Sequence, residues 1–196
     1  MYTTTYVPWE NCPKKLYHHE VVNPLSVLVD FFGIDLLNGH RNKLKKWRYY
    51  VNRDEAYKDK KYGPGSLLFT YDQNVRLLEA TYLLYYNDTI SATKKAIVSV
   101  DELEAERKHL DGFPDNLSDK ESHNPYAAIK KIFQDTSLQQ YRDYLHEWLY
   151  GALYIKGGCE DLETYEMKLF YKNMLKLYSA TWLIYHPENK GLVNNT

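Results

Sequence analysis

The chain has 196 residues and a formal net charge of −1 at neutral pH. A charge this close to zero excludes a protein that attracts nucleic acid or anionic lipid over its whole surface. No stretch approaches the roughly 18 apolar residues of a membrane-spanning helix, and the N-terminus lacks a basic segment followed by an apolar one. Cys12 and Cys159 lie far apart, outside any metal or redox spacing. We therefore expect a cytoplasmic protein with free thiols and no membrane partner.

The first part of the chain contains an N-terminal arm and three predicted helices. Residues 1–22 mix polar residues with prolines, which favours an arm that packs over the body. Asn23-Pro24 predicts the start of a helix, because Asn caps exposed amides and Pro is tolerated in the first turn. Apolar residues then recur at intervals of three and four from Leu36 to about Val51, which indicates an amphipathic helix. Gly63-Pro64-Gly65 precedes a second long periodic segment, Ser66 to Tyr86.

The sequence predicts a connector in the middle of the chain, and the second half repeats the order of predicted helices found in the first. Residues 91–121 contain an acidic, helix-prone stretch from Val100 to His109 and a loop rich in turn residues. A helix is predicted from Pro125, a long one from about Ser137 to Tyr154, and a last one from about Leu162 to Tyr185. We expect the last helix to stop at Pro187.

The chain repeats itself with an offset of 100 or 101 residues, so that Asn23 to Tyr85 can be laid over Asn124 to Tyr185. In the first matching stretch, Leu37, Arg41, Leu44, Trp47 and Tyr49 fall on Leu138, Arg142, Leu145, Trp148 and Tyr150. Each half has a size that is marginal for an independent core, so we expect the halves to share one. The residues expected in that core are Trp47, Trp148, Tyr82, Trp182, Leu44, Leu145, Leu77, Leu177, Leu83 and Leu183.

The predicted fold is therefore all-α: a duplicated helical bundle of two similar three-helix units related by a pseudo-twofold axis. The predicted organisation is an N-terminal arm (1–22), a first repeat with the acidic connector (23–115) and a second repeat (116–196), packed as one globular unit.

A basic cluster in residues 41–61 is the clearest local anomaly in charge. The residues that could contact an anion or a nucleic acid are Arg41, Lys45, Arg48, Lys58, Lys60 and Lys61. Interleaved tyrosines at 49, 50 and 57 could stack on bases. The alternative is a solvated face that is balanced by the acidic 101–121 segment.

Arg41 and Arg142 are the charged residues that both copies of the long helix retain. An arginine beside an aromatic ring can stack on it and bond to a helix end, which is a structural role. The functional alternative is a pair of arginines that hold an anionic ligand across a pseudo-twofold cleft.

The stretch Arg142-Asp-Tyr-Leu-His146 resembles the arginine-to-histidine motif of the HEPN ribonucleases, which are helical bundles, although the spacing here is shorter than in that family. The resemblance implies that Arg142 binds the phosphate and that His146 does the acid-base work. The alternative is a histidine that is simply hydrogen-bonded on its helix and has no catalytic role.

Candidate metal ligands do not assemble into a predicted site. Glu106 and His109 have the Glu-x-x-His spacing of di-iron bundles, but those sites need a second such motif, which the sequence lacks. His18-His19-Glu20 has no partner of matching spacing. Neither a metal nor any other cofactor is predicted.

A pattern of Asn23-Pro24, Phe31-Phe32 and Leu37-x-x-x-Arg41-x-x-Leu44-x-x-Trp47 resembles a group of helical proteins from Bacteroides-type bacteria. The resemblance implies the helical fold and carries no activity. Twenty tyrosines favour half-buried faces and binding surfaces. The sequence therefore favours a non-enzymatic interaction or regulatory module with a protein partner. A homodimer, nucleic-acid binding and the ribonuclease remain the alternatives.

Overall fold

In the computed structural model of the chain, the described residues form helices and connecting loops, with no strand among them. The described residues are 9–53, 55–86, 116–154 and 164–193, with the backbone alone for 164 and 186–193. After a 3₁₀ turn at Trp9–Asn11, the helices in these ranges are α1 (His18–Val22), α2 (Leu25–Ile34), α3 (Leu37–Val51), α4 (Gly65–Tyr86), α5 (Asp119–His123), α6 (Pro125–Asp135), α7 (Leu138–Leu153) and α8 (Thr164–Val193). The predicted all-α class is confirmed.

The long helices begin and end close to the residues that the sequence pattern predicts. In α3 the buried residues Leu44, Trp47 and Val51 recur at three and four, as an amphipathic helix requires. In α7 the Ser137 hydroxyl accepts the Gln140 amide, while the Gln140 side chain accepts the Ser137 amide, which closes a capping box. The predicted end of the last helix is wrong, because α8 continues through Pro187 to Val193. Pro187 removes one intrahelical hydrogen bond, and the helix continues in spite of that loss.

Two short helices were not predicted, and in both a glutamate side chain caps the N-terminus. In α1, which lies in the segment expected to be an arm, the Glu20 carboxylate accepts the Tyr17 amide at 2.8 Å. In α5 the Glu121 carboxylate accepts the Ser118 amide at 2.9 Å. The Ser-x-x-Glu spacing at 118–121 is a capping-box signal that the sequence carries openly.

The two largest side chains of the core, Trp47 and Trp148, meet where α3 packs against α7. α3 packs mainly against α7 and α8, whereas α4 packs against α2, α6 and α7. Trp47 and Trp148 meet edge to face with ring centroids 6.0 Å apart, and the Trp47 indole N–H donates to the Trp148 carbonyl at 3.0 Å. Among the described residues the Trp148 indole N–H has no acceptor. The whole predicted core is buried except Trp182, which is half-buried.

Candidate functional site

An open groove of about 800 Å³ lies between the end of α2, the middle of α3 and the first turns of α4. Its third wall is the loop of residues 55–64. The side chains that give the groove its character are aromatic, aliphatic or cationic: Ile34, Lys43, Lys46, Tyr57, Tyr62 and Phe69. Tyr62 is 64% exposed and Phe69 49%, so these apolar surfaces are open to solvent. The volume and the lining are typical of a binding site.

Local backbone chemistry fixes the loop that forms the outer wall. The Asp59 carboxylate accepts the amides of Lys61 and Tyr62 at 3.0 and 2.9 Å, which closes a tight turn. Gly63 has a φ of 58°, a conformation that side chains disfavour, and Pro64 precedes the start of α4. The hydrogen bonds from the Tyr62 amide, the Lys46 ammonium and the Lys61 amide lower the pKa of the Asp59 carboxyl to about 2, so it stays ionised. The wall is therefore part of the folded scaffold.

Tyr57 anchors this loop to the bundle from two sides. Its amide donates to the Ala152 carbonyl in α7 at 2.7 Å. Its hydroxyl lies 3.2 Å from the Ser66 hydroxyl in α4. The ring consequently stands between the two helices as a fixed surface of the groove.

Two lysines of α3 bring positive charge into the groove. The Lys43 ammonium lies 2.8 Å from Asp35, and the Lys46 ammonium lies 3.0 Å from Asp59 and 4.8 Å from the centre of the Tyr57 ring. Desolvation opposes the charged form of Lys46, but hydrogen bonds to Asp59 and Tyr57 outweigh it and raise its pKa. Lys46 is therefore a permanent cation at neutral pH.

A buried polar cluster lies behind the floor of the groove. His40 stacks on the Phe31 ring with centroids 3.8 Å apart, and its Nε2 lies 2.8 Å from the Phe31 carbonyl oxygen. Burial lowers the pKa of His40 to about 4, so the ring is neutral at neutral pH and its Nε2–H donates to that carbonyl. The Tyr178 hydroxyl donates to the Asn74 amide oxygen, and burial raises the pKa of Tyr178. Sequence reasoning missed this cluster, although His40 occupies a core position of the α3 pattern.

The predicted anion-contact residues do not converge on one site. Lys45, Lys58, Lys60 and Lys61 are exposed, whereas Arg41 and Arg48 are half-buried. The Arg41 guanidinium donates to the Ser179 hydroxyl at 3.2 Å, and the Arg48 guanidinium lies over the Tyr171 ring at 4.4 Å. Both arginines thus tie α3 to α8. The acidic 101–115 stretch that was expected to balance this face lies outside the described residues.

Arg142 is bound on all sides within the protein. It is 6% exposed, and its Nε and Nη2 donate to the fully buried Glu79 carboxylate at 3.0 and 2.7 Å. Its remaining donors reach the carbonyls of Glu10 and Cys12 at 2.9 and 2.7 Å. Glu79 also accepts the backbone amides of residues 14 and 15 at 2.9 and 2.8 Å. This ion pair fastens the N-terminal segment over α4 and α7.

His146 lies apart from this buried ion pair. It is exposed on α7, where its ring packs on Tyr150 with centroids 4.6 Å apart. The ribonuclease hypothesis requires Arg142 and His146 to line one cleft that a phosphate can enter. The geometry does not support it, because the Arg142 guanidinium is already occupied by Glu79 and by backbone carbonyls.

No group of three or more potential metal ligands occurs within the described residues. Of the predicted candidates, Glu20 is buried and bonded to Arg76 and to the Tyr17 amide. Glu106 and His109 lie outside the described ranges.

Over the part of the chain that the structure describes, every helix is too short or too polar to span a bilayer. Comparisons of the chain with protein-family models, with curated proteins and with solved structures give no match. The residues of the groove are therefore the basis on which a function can be inferred.

Proposed function

We propose that this protein is a non-enzymatic interaction module that holds a protein partner in the groove between α2, α3 and α4. The observation that carries the proposal is the exposed apolar surface of Ile34, Tyr62 and Phe69 on a rigidly built wall. Contiguous exposed apolar surface bordered by polar groups is typical of interaction sites. The aromatic side chains offer large contact areas with few torsions to restrict.

The polar groups of the groove support binding rather than catalysis. The Ser66 hydroxyl is bonded to Tyr57 and lies 3.2 Å from the Gly63 carbonyl, and Asp59 is bonded to backbone amides and Lys46. These groups stabilise the wall and are not arranged as a nucleophile beside a base. His40 faces the Phe31 carbonyl from inside the core.

We further propose that the bundle is a duplicated unit with pseudo-twofold symmetry. Helix bounds support this, because α1 (His18–Val22) and α5 (Asp119–His123) differ by 101 residues at both ends, as do the starts of α3 and α7. Asn23 and Asn124, which follow the short helices, have nearly equal backbone angles, with φ of −127° and −135° and ψ of 82° and 79°. The repeating unit would then hold four helices, with α1 or α5 preceding the predicted three.

Contacts that recur at an offset of 100 or 101 residues add independent support. Three pairs of interactions correspond: Glu20–Arg76 with Glu121–Lys176, His40–Phe31 carbonyl with Tyr141–Ile132 carbonyl, and Arg41–Ser179 with Arg142–Glu79. The first two join helices within one unit. The third joins the two units, which is the arrangement expected of an intertwined pair.

The groove of about 800 Å³ is built by residues of the first unit. The cavity in the second unit, beside Ile132, Asp135 and Leu169, measures about 190 Å³. Residues 155–163, which would correspond to part of the outer wall, are outside the described ranges. A binding role for the larger groove therefore belongs to the first unit.

Site-specific photo-crosslinking tests the proposed function. A benzophenone amino acid replaces Tyr62 at the rim of the groove, and the matched control replaces Tyr165, which is 72% exposed on α8. In the cells that make the protein, we expect a discrete heavier adduct from position 62 and none from position 165. Equal crosslinking at both positions, or none at 62, would exclude the groove as the partner site.

Nucleic-acid binding is the second candidate, because Lys45, Lys58, Lys60 and Lys61 are exposed. Its test is the fluorescence anisotropy of single-stranded RNA and duplex DNA at about 50 and 200 mM salt, since phosphate contacts weaken steeply over that range. Binding that falls with salt and is lost in Lys45→Glu would support it. Absence of binding at the lower salt concentration would remove it.

A further inference from the structure

We propose that the groove receives an acidic segment of the partner protein, with its carboxylates at Lys43 and Lys46 and an aromatic or large aliphatic side chain against Phe69. This inference rests on the proposed function, because it names the chemistry of the partner that the same groove would hold.

The charge of the groove carries the first step. The described residues of the groove and its loop include five lysines, namely Lys43, Lys46, Lys58, Lys60 and Lys61, and three carboxylates, namely Asp35, Glu55 and Asp59. A basic segment would meet this net positive charge and lose affinity, whereas an acidic segment gains from the two lysines that line the groove itself, Lys43 and Lys46.

The arrangement of the carboxylates carries the second step. One oxygen of Asp59 is occupied by the amides of Lys61 and Tyr62, and the other faces Lys46. Asp59 is thus committed to the turn. The Lys43 and Lys46 side chains are about 40% exposed, at 41% and 40%, so their ion pairs contribute little and a new carboxylate can share each ammonium.

The apolar part of the groove carries the third step. Ile34 and Phe69, which are 43% and 49% exposed, also line a small neighbouring cavity of about 10 Å³ that is bordered by Phe31 and His40. A ring or a branched aliphatic side chain on Phe69 would remove water from both residues. Lys43 borders the same small cavity, so in the proposed complex a carboxylate of the partner lies next to the side chain that packs on Phe69.

A phage library of random 12-residue peptides, selected on the immobilised protein, provides the test. We expect enriched peptides that combine Asp or Glu with Phe, Trp or Leu. One such peptide, labelled with a fluorophore, should lose at least about ten-fold in affinity on Lys46→Glu because like charges then face each other. The control Lys172→Glu makes the same charge change at an exposed position beside the smaller cavity and should leave affinity within about two-fold.

Lys46→Glu could disturb the loop through Asp59, so Lys46→Gln is measured beside it. Helicity and melting temperature are compared with those of the unmodified protein. If the fold is intact, Lys46→Gln should lower the affinity of the protein for the acidic peptide several-fold. Unchanged affinity in a folded Lys46→Gln variant would overturn the inference.

The remaining outcomes separate this inference from the proposed function. Neutral or basic peptides that still require Phe69 would overturn the acidic partner and leave the groove as a protein-binding site. No peptide that depends on Phe69, together with no adduct at Tyr62, would overturn both. A dimer in light scattering that dissociates on Phe69→Ser would assign the groove to a second copy of this chain and overturn the inference.

Discussion

Replacing Glu79 by glutamine tests whether one buried carboxylate holds the N-terminal segment on the bundle. Glu79 is fully buried and accepts the Arg142 guanidinium together with two backbone amides. Glutamine keeps the shape but offers one acceptor oxygen in place of two, and it leaves the Arg142 charge without a counter-ion. Loss of one partner of a buried ion pair destabilises a protein by about 3–5 kcal/mol. Arg142 keeps the carbonyls of Glu10 and Cys12, so we expect about 3 kcal/mol.

Urea denaturation and limited proteolysis measure the two consequences separately. The free energy of unfolding should fall by that amount, while the total for a domain of this kind, about 5–15 kcal/mol, leaves the variant folded. Trypsin should cleave after Lys14 and Lys15 much faster than in the unmodified protein, because their amides are no longer held by Glu79. Asp72→Asn is the control, since its 2.9 Å ion pair with Lys15 is half-exposed and should contribute less than about 1 kcal/mol.

The reasoning is refuted if Glu79→Gln unfolds within about 1 kcal/mol of the unmodified protein and trypsin cleaves both at the same rate. A loss of stability without faster cleavage would show that Glu79 stabilises the helices but does not anchor the N-terminal segment.

Three further predictions concern the core and the turns. Burial lowers the pKa of His40 from 6.5 to about 4, so as the pH falls the unfolded chain takes up this proton before the folded chain does. Between those two pH values the free energy of unfolding should therefore fall, by at most about 3 kcal/mol more than in His40→Gln. Urea denaturation at each pH measures this difference. Trp47→Phe should destabilise by about 1 kcal/mol more than Trp148→Phe, because only the Trp47 indole has an acceptor among the described residues; equal losses would contradict this. Gly63→Ala should lower stability by about 1–2 kcal/mol because its φ is 58°. Gly33→Ala, where a Cβ meets nothing within 4 Å, should raise stability by about 0.5–1 kcal/mol. In thermal melts, a melting temperature that does not fall contradicts the Gly63 prediction, and one that does not rise contradicts the Gly33 prediction.

The periodic parts of the sequence predicted the long helices because their burial is set by local spacing. Leu44, Trp47 and Val51 recur on one face whatever they pack against, so the pattern alone placed α3. The prediction that the last helix ends at Pro187 was wrong because it, too, rested on local chemistry alone. A proline disfavours a helix by its own chemistry, but its penalty is small beside the rest of a 30-residue helix.

The groove and the buried charges depend on contacts between distant residues, which periodicity does not encode. From the sequence alone, Glu79 in α4 is expected on an exposed face of the helix. The folded structure buries it because Arg142 and the backbone amides of the N-terminal segment bind its carboxylate. The composition indicates only that the twenty tyrosines favour half-buried faces and binding surfaces, without placing a groove. Ile34 and Phe69, which complete the groove, lie on other helices and carry no sequence signal of their own.

The packing of α3 against helices that are distant in sequence affects how the protein folds while it is being synthesised. α3 finds its main neighbours, α7 and α8, only in the last third of the sequence. At ordinary rates of translation that part follows on the order of ten seconds after α4 has been synthesised. During this interval the helices that bury Leu44 and Trp47 in the described structure have not yet been made. We therefore expect the nascent first half to expose apolar surface that chaperones bind and that favours aggregation until the second half follows.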